Sequence, residues 1–217
     1  MQISWKGQAC FHITAVPAKG EQVKMVIDPY DNSLGLKFPA MEADVALVTH
    51  DHYDHNNVKG LKGDPFVISN PGEYDVKGAV IQGIPSFHDD SKGAERGLNT
   101  MYTIEIEGMK LCHMGDFGQA ELTPEQVERI GNIDILMIPV GGVYTIDAAA
   151  AGKVLNQIEP RVVIPMHYAL PKLKQKLEKL DELFKVIGVK KPEPQQKLTI
   201  RSRDISAEGA SLVVLEP

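Results

Sequence analysis

Residues 45–48 form an apolar run, Val-Ala-Leu-Val, and one residue later the chain delivers His50-Asp51-His52-Tyr53-Asp54-His55. A run this short, with no polar side chain, reads as a buried strand. The hexapeptide then sits where a strand leaves a sheet, which is where α/β architectures build their sites. Neutral imidazole and carboxylate are the nitrogen and oxygen ligands that zinc and similar divalent ions accept. His50, His52 and Asp54 are spaced by two, so an extended loop could point them the same way. His55 follows at once and points elsewhere, which suggests ligands for two ions rather than one. Three of the chain's seven histidines fall in these six positions, which weighs against a surface loop that is histidine-rich by chance.

Two sites need further ligands, and the chain offers them at the ends of other apolar runs: Ser86-Phe87-His88-Asp89, Met114-Gly115-Asp116 and Pro165-Met166-His167. His88 could be a surface histidine, but its place after the run 81–87, with Asp89 beside it as an orienting partner, favours a ligand. His167 competes with a reading as a core histidine, and Asp116, between Gly115 and Phe117, with a simple turn residue. His113 is expected to be structural or supporting. His12, between Phe11 and Ile13, is expected to be a strand residue near the core.

Strands are expected at 3–5, 10–15, 23–27, 45–48, 66–69, 74–76 and 79–84, with a hairpin 100–107/110–114 turning at Gly108-Met109. The second half brings helices. Thr123-Pro124-Glu125-Gln126 opens one to Ile130, and Asp147 opens an alanine-rich one to Ile158. Pro171 can open a third to about Val186, with Leu173, Leu177, Leu180, Leu183 and Phe184 on one face. Further strands are expected at 135–140, 162–164, 197–201 and 212–215. Pro192-Glu193-Pro194 is a surface break, and 217 residues suit one sizeable core, so a single domain over 1–217 is expected.

The stretch Thr49-His50-Asp51-His52-Tyr53-Asp54-His55-Asn56, followed in order by His88, Asp116 and His167, resembles the metallo-β-lactamase superfamily. It is especially similar to the small zinc-dependent hydrolases related to ascorbate phosphate lactonases. Trp5 to Phe11, Ile27-Asp28-Pro29 and Gly141-Gly142 add to the likeness, which spans essentially the whole chain. Gln8 departs from it: many relatives have histidine there, and the change removes a possible supporting partner but no metal ligand. The resemblance implies an α/β fold, a four-layer αββα sandwich. It implies one ion held by His50, His52 and His88, another by Asp54, His55 and His167, and Asp116 bridging them. Two divalent ions bring about four positive charges and two carboxylates return two, so the site stays positive, favouring a bound hydroxide and an anionic substrate. The implied activity is metal-dependent hydrolysis of a small, anionic ester, lactone or phosphoester by that hydroxide, with Asp54 orienting it or handling its proton. Zinc is the default metal; manganese, iron or nickel also suit such mixed sites. Arg96 could clamp a phosphate or carboxylate, and Tyr144 and Tyr168 could donate hydrogen bonds to substrate. Each could equally be a loop arginine or a packing aromatic.

Composition narrows the alternatives. A net charge of −6 argues against bulk attraction to nucleic acid or anionic membranes. A nuclease of this fold would add a basic surface, and the local run Lys172, Lys174, Lys176, Lys179 is read as the solvated face of the third helix. An iron-dependent oxidoreductase, similar to a sulfur dioxygenase, is the redox alternative; di-iron relatives typically carry glutamate where this chain has His52. Cys10 and Cys112 are the two cysteines, without a CxxC pair, which fits a reducing cytoplasm. No stretch reaches the length of a membrane span, and oligomeric state is left open.

Overall fold

The computed structural model describes residues 1–206 and 209–217. Short alternating runs become strands because each buries one face. In β2 (Phe11–Ala15) and β3 (Val23–Ile27), Phe11, Ile13, Ala15, Val23, Met25 and Ile27 point into the main core. Two sheets result. With β1 (Gln2–Trp5), β4 (Val45–Leu47), β5 (Phe66–Ile68) and β12 (Leu198–Thr199), they form a six-stranded sheet ordered β12-β1-β2-β3-β4-β5. The other has seven strands, ordered β13-β11-β10-β9-β8-β7-β6: β6 (Gly72–Val76), β7 (Ala79–Phe87), β8 (Leu98–Ile106), β9 (Met109–His113), β10 (Ile135–Pro139), β11 (Val162–Met166) and β13 (Ser211–Leu212). The main core fills the space between them and continues beneath the helices that cover the seven-stranded sheet. Each fully buried Ile, Leu or Phe there stabilises the fold by roughly 1.5–3 kcal/mol.

Three helices supply the outer layer of the seven-stranded sheet. α1 (Pro124–Ile130) starts on a capping box, in which Thr123 Oγ1 accepts from the Gln126 amide and Gln126 Oε1 accepts from that of Thr123. α2 (Ala148–Ile158) is capped by Asp147, and α3 (Asp181–Ile187) packs against it. Outside the six-stranded sheet the fourth layer is thinner, with 3-10 turns at Asn32–Leu34 and Val58–Gly60 and a small apolar cluster around Tyr30, Leu34 and Met41. This is the α/β sandwich of the metallo-β-lactamase type.

The expected helix from Pro171 begins only at Asp181. Leu173 packs into the small cluster outside the six-stranded sheet, whereas Leu180, Leu183 and Phe184 enter the main core. One helical face cannot serve both. Residues 169–180 instead run as an irregular strap pinned through its backbone: Lys174 N–H donates to Leu34 O, Glu178 N–H to Gly141 O, and Ala169 N–H to Glu178 O. Lys172, Lys174, Lys176 and Lys179 are therefore exposed on a strap and not on a helix. No helix among the described residues is long and apolar enough to cross a membrane.

Strand direction places the site. β3 and β4 run parallel, as do β9, β10 and β11, and β7 shares the direction of β9 through two antiparallel pairings. Their carboxyl ends release Asp28, the histidine loop, Asp116, Gly141-Gly142, His167 and His88 at one edge of the sandwich.

Candidate metal centre

The histidine loop is not extended. His55 N–H and Asn56 N–H both donate to His52 O, curling the chain so that Asp54 groups with His55 and not with His50 and His52. Two clusters follow: His50, His52 and His88 in one, and Asp54, His55, Asp116 and His167 in the other. Within each, one ligand-type atom per residue lies within 4.8 Å of the others. All seven side chains assigned from the sequence thus come together. Asp116 joins the clusters: its Oδ2 is 3.2 Å from His55 Nε2, 3.2 Å from His167 Nε2 and 3.3 Å from His88 Nε2.

The buried atoms fit a cation. Thr49 Oγ1 donates to Asp28 Oδ2 at 2.8 Å, so its oxygen accepts from His50 Nδ1 at 3.0 Å. His50 Nε2 is then left with a free lone pair, buried and without a hydrogen-bond partner. Burial, then the neighbouring His55, pushes His50 down to about 2, so its imidazole is neutral at any ordinary pH, the form a cation would require. His52 is lowered in the same sense, by burial and by His88. His55 differs. Burial opposes its charge, but Asp116 and Asp28 overcome this and hold the imidazolium well above the usual range. A cation at that position would take the proton's place. Burial raises Asp116 and Asp54, yet the adjacent histidines outweigh it and both stay ionised below the usual carboxylate range.

Several supporting residues were not assigned a role from the sequence. Asp28, fully buried, accepts from the Thr49 amide, Thr49 Oγ1 and His55 Nδ1, the last at 2.9 Å. Its place after β3, like that of the other site residues after their strands, was the available signal. Asn99 Oδ1 accepts from the Asp116 amide at 3.0 Å while its Nδ2 donates to Ser86 Oγ and Met114 O. Gln8 was expected only to remove a partner. It is instead buried inside the site, with Nε2 2.8 Å from His167 Nε2 and 3.4 Å from Asp54 Oδ2. Gln175, on the strap, donates to Asp54 Oδ2 at 2.9 Å, and nothing in its local sequence announces this.

Gln8, Asp28 and His167 all have positive φ, at 54°, 49° and 52°. Such backbone costs about 1–3 kcal/mol per residue and persists where surrounding contacts over-determine it. Here Gln8 O accepts from both Trp5 Nε1 and the His167 amide, and the Asp28 amide donates to Leu47 O.

Other expected residues fall differently. His113 is structural: Nε2 donates to Ala9 O at 2.8 Å and Nδ1 accepts from the Gly115 amide. His12 lies on β2, partly buried, outside both clusters. Asp89 does not orient His88. Its carboxylate accepts from the amides of Ser91, Gly93, Glu95 and Arg96 and so shapes the loop after His88. Arg96, carried on that loop, donates to Val143 O at 3.3 Å and stacks 4.9 Å over the Tyr144 ring. Tyr168 takes the packing alternative. Its ring packs 4.9 Å from that of the fully buried Trp5, and burial, then Glu216, raises its hydroxyl.

Residues 2–167 match the Beta-lactamase superfamily domain. The chain belongs to that superfamily. A Thermotoga maritima structure of the metallo-β-lactamase superfamily superposes on this superfamily member with a TM-score of 0.79. It is 36% identical, over 99% of this chain and 97% of that one. Among curated relatives, a UPF0173 metal-dependent hydrolase of Thermoplasma volcanium is 32% identical, covering 77% of this chain and 83% of its own. Another of Thermococcus onnurineus is 29% identical over 77% and 84%. This superfamily member is thus related to named metal-dependent hydrolases.

Proposed function

We propose that the protein is a cytoplasmic hydrolase, one domain over residues 1–217, that uses two divalent ions, zinc by default, on a small anionic ester, lactone or phosphoester. The observation that carries this is Asp116 Oδ2, which lies within 3.3 Å of Nε2 of three histidines drawn from both clusters. His50, His52 and His88 would hold one ion, Asp54, His55 and His167 the other, and Asp116 both. Bound there, such ions lower the pKa of water from about 15.7 towards 7 and polarise a carbonyl or phosphoryl oxygen.

The chain's own groups do the rest. Asp28 and Thr49 set the ring orientation and tautomer of His55 and His50. Asp54 is ionised and pinned by the Gln175 amide, so it can accept a hydrogen bond from the attacking water and orient it. Arg96, on the Asp89-shaped loop beside His88, supplies the fork that recognises a phosphate or carboxylate, with Tyr144 supporting its plane. The relatives' names support metal-dependent hydrolysis, and the anionic substrate rests on the positive charge of a loaded centre and on Arg96.

The test is elemental analysis of purified protein together with a panel of phosphorylated lactones and phosphodiesters. Two equivalents of zinc, with turnover lost on chelation and restored by zinc alone, are expected. Iron with a redox-dependent visible spectrum, or no hydrolysis by the zinc-loaded protein across the panel, overturns the proposal.

A further inference from the structure

The strap 169–180 contributes one side chain to the centre, and its bonding is complete. Gln175 Nε2 donates to Asp54 Oδ2 at 2.9 Å and to Tyr53 Oη at 3.4 Å, and its Oε1 accepts from Gln8 Nε2. An amide nitrogen has two hydrogens and its oxygen can accept, so every polar atom of Gln175 is used. Gln8 closes the chain at the other end, beside His167 Nε2. A carboxamide next to that nitrogen has only its lone pair to donate to, the same lone pair a cation at this position requires. Once that lone pair is taken, the Gln8 amide retains Gln175 Oε1 and, more distantly at 3.4 Å, Asp54 Oδ2 as acceptors, which leaves the Gln175 nitrogen as the nearer donor to Asp54.

We propose that Gln175 is a positioning residue for the second ion: through its amide it holds the Asp54 carboxylate in place for metal binding, and Gln8 holds Gln175. This deepens the dinuclear reading and rests on it. The strap is built to deliver this side chain. Lys174, one residue before it, is bonded to Leu34 O, and Glu178, three residues after it, to Gly141 O, so the backbone on both sides is tied to loops that border the centre. A carboxylate that binds a cation is ordinarily oriented by a hydrogen bond of its own, and losing such a partner costs about 10–100-fold in metal affinity or activity. On the other side of the centre, His50 has only the Thr49 hydroxyl in this role.

The experiment is a zinc titration of wild type, Gln175→Ala and Gln175→Met against a chromophoric chelator, using zinc alone. His52→Ala serves to mark the step that belongs to the three-histidine cluster. Methionine keeps the length and packing of glutamine without its N–H groups. Both Gln175 variants are expected to weaken one step by about 10–100-fold and to leave the step marked by His52→Ala within about twofold, with the zinc-free variants still unfolding in one cooperative thermal transition. Wild type taking up two zinc ions while Gln175→Met binds both as tightly overturns this proposal and leaves the dinuclear reading standing. Weakening of the step marked by His52→Ala, or a loss in Gln175→Ala that Gln175→Met restores, also overturns it, because the amide would not be acting on Asp54. Wild type binding fewer than two zinc ions removes the dinuclear reading itself and this proposal with it.

Discussion

The two halves of the centre solve different electrostatic problems. His50, His52 and His88 bring three imidazoles together without a carboxylate of their own; burial and neighbouring histidines keep His50 and His52 neutral, and the support is slight: Thr49 for His50, and no partner for His88 Nδ1. The other half gathers Asp54 and Asp116 around His55 and His167, with Asp28 directly behind. Carboxylates brought together in a low-dielectric place repel one another unless donors surround them. Donors do surround them here: Gln8 and Gln175 on Asp54, and the Thr49 amide, the Thr49 hydroxyl and His55 Nδ1 on Asp28. A cluster of imidazoles needs few partners, whereas one that gathers carboxylates has to be built from partners across the chain.

Asp116 belongs to both halves, and its loss should erase the contrast. Asp116→Asn is expected to lower kcat by more than the roughly 100-fold ceiling for an outer partner and to weaken both zinc-binding steps, read by steady-state kinetics and the chelator titration. Weakening of only one step would show that the halves do not share this carboxylate.

Two glycines allow each half to be broken separately. A Cβ added at Gly118 would lie 2.4 Å from the carbonyl of His88, and one at Gly141 would lie 2.0 Å from that of His167. Backbone atoms cannot swing aside as a side-chain end can. Gly118→Ala should therefore displace His88 and weaken the three-histidine step, and Gly141→Ala should displace His167 and weaken the other. Each should also cost about 1–3 kcal/mol of stability, as overpacking does. Thermal melts combined with the titration check this. The same step lost in both variants would mean that the two halves are one site.

The contrast also explains what the sequence made readable. Strand exits and metal-type side chains are local patterns, so the seven residues of the clusters and the order of the strands could be read off runs such as 45–55. The supports are polar residues of common type whose meaning depends on distant partners. Gln8 reaches His167 across 159 positions and Gln175 reaches Asp54 across 121. The strap failed as a helix for a related reason: Leu173 and Leu180 keep helical spacing but belong to different apolar clusters. Asp89, adjacent to His88, looked like its partner, yet four backbone amides of the following loop claim the carboxylate.

That loop leads to the smallest expected effect, which separates recognition from metal support. Arg96 stacks on Tyr144 and donates to Val143 O, tying the loop after His88 to the loop after Gly142, and it makes no hydrogen bond or ion pair with either cluster. Arg96→Ala should then leave both zinc-binding steps unchanged. It should raise KM for an anionic substrate by about tenfold, the worth of a charge-assisted hydrogen bond of roughly 1.5 kcal/mol, while a neutral ester is turned over as before. The comparison of KM for the two substrates is the measurement. Equal changes for both would take Arg96 out of substrate recognition; an unchanged KM for the anion would leave its role as the clasp between the two loops. A selective rise would mean that the lightly supported half faces the substrate, while the heavily partnered half is built to hold its ion.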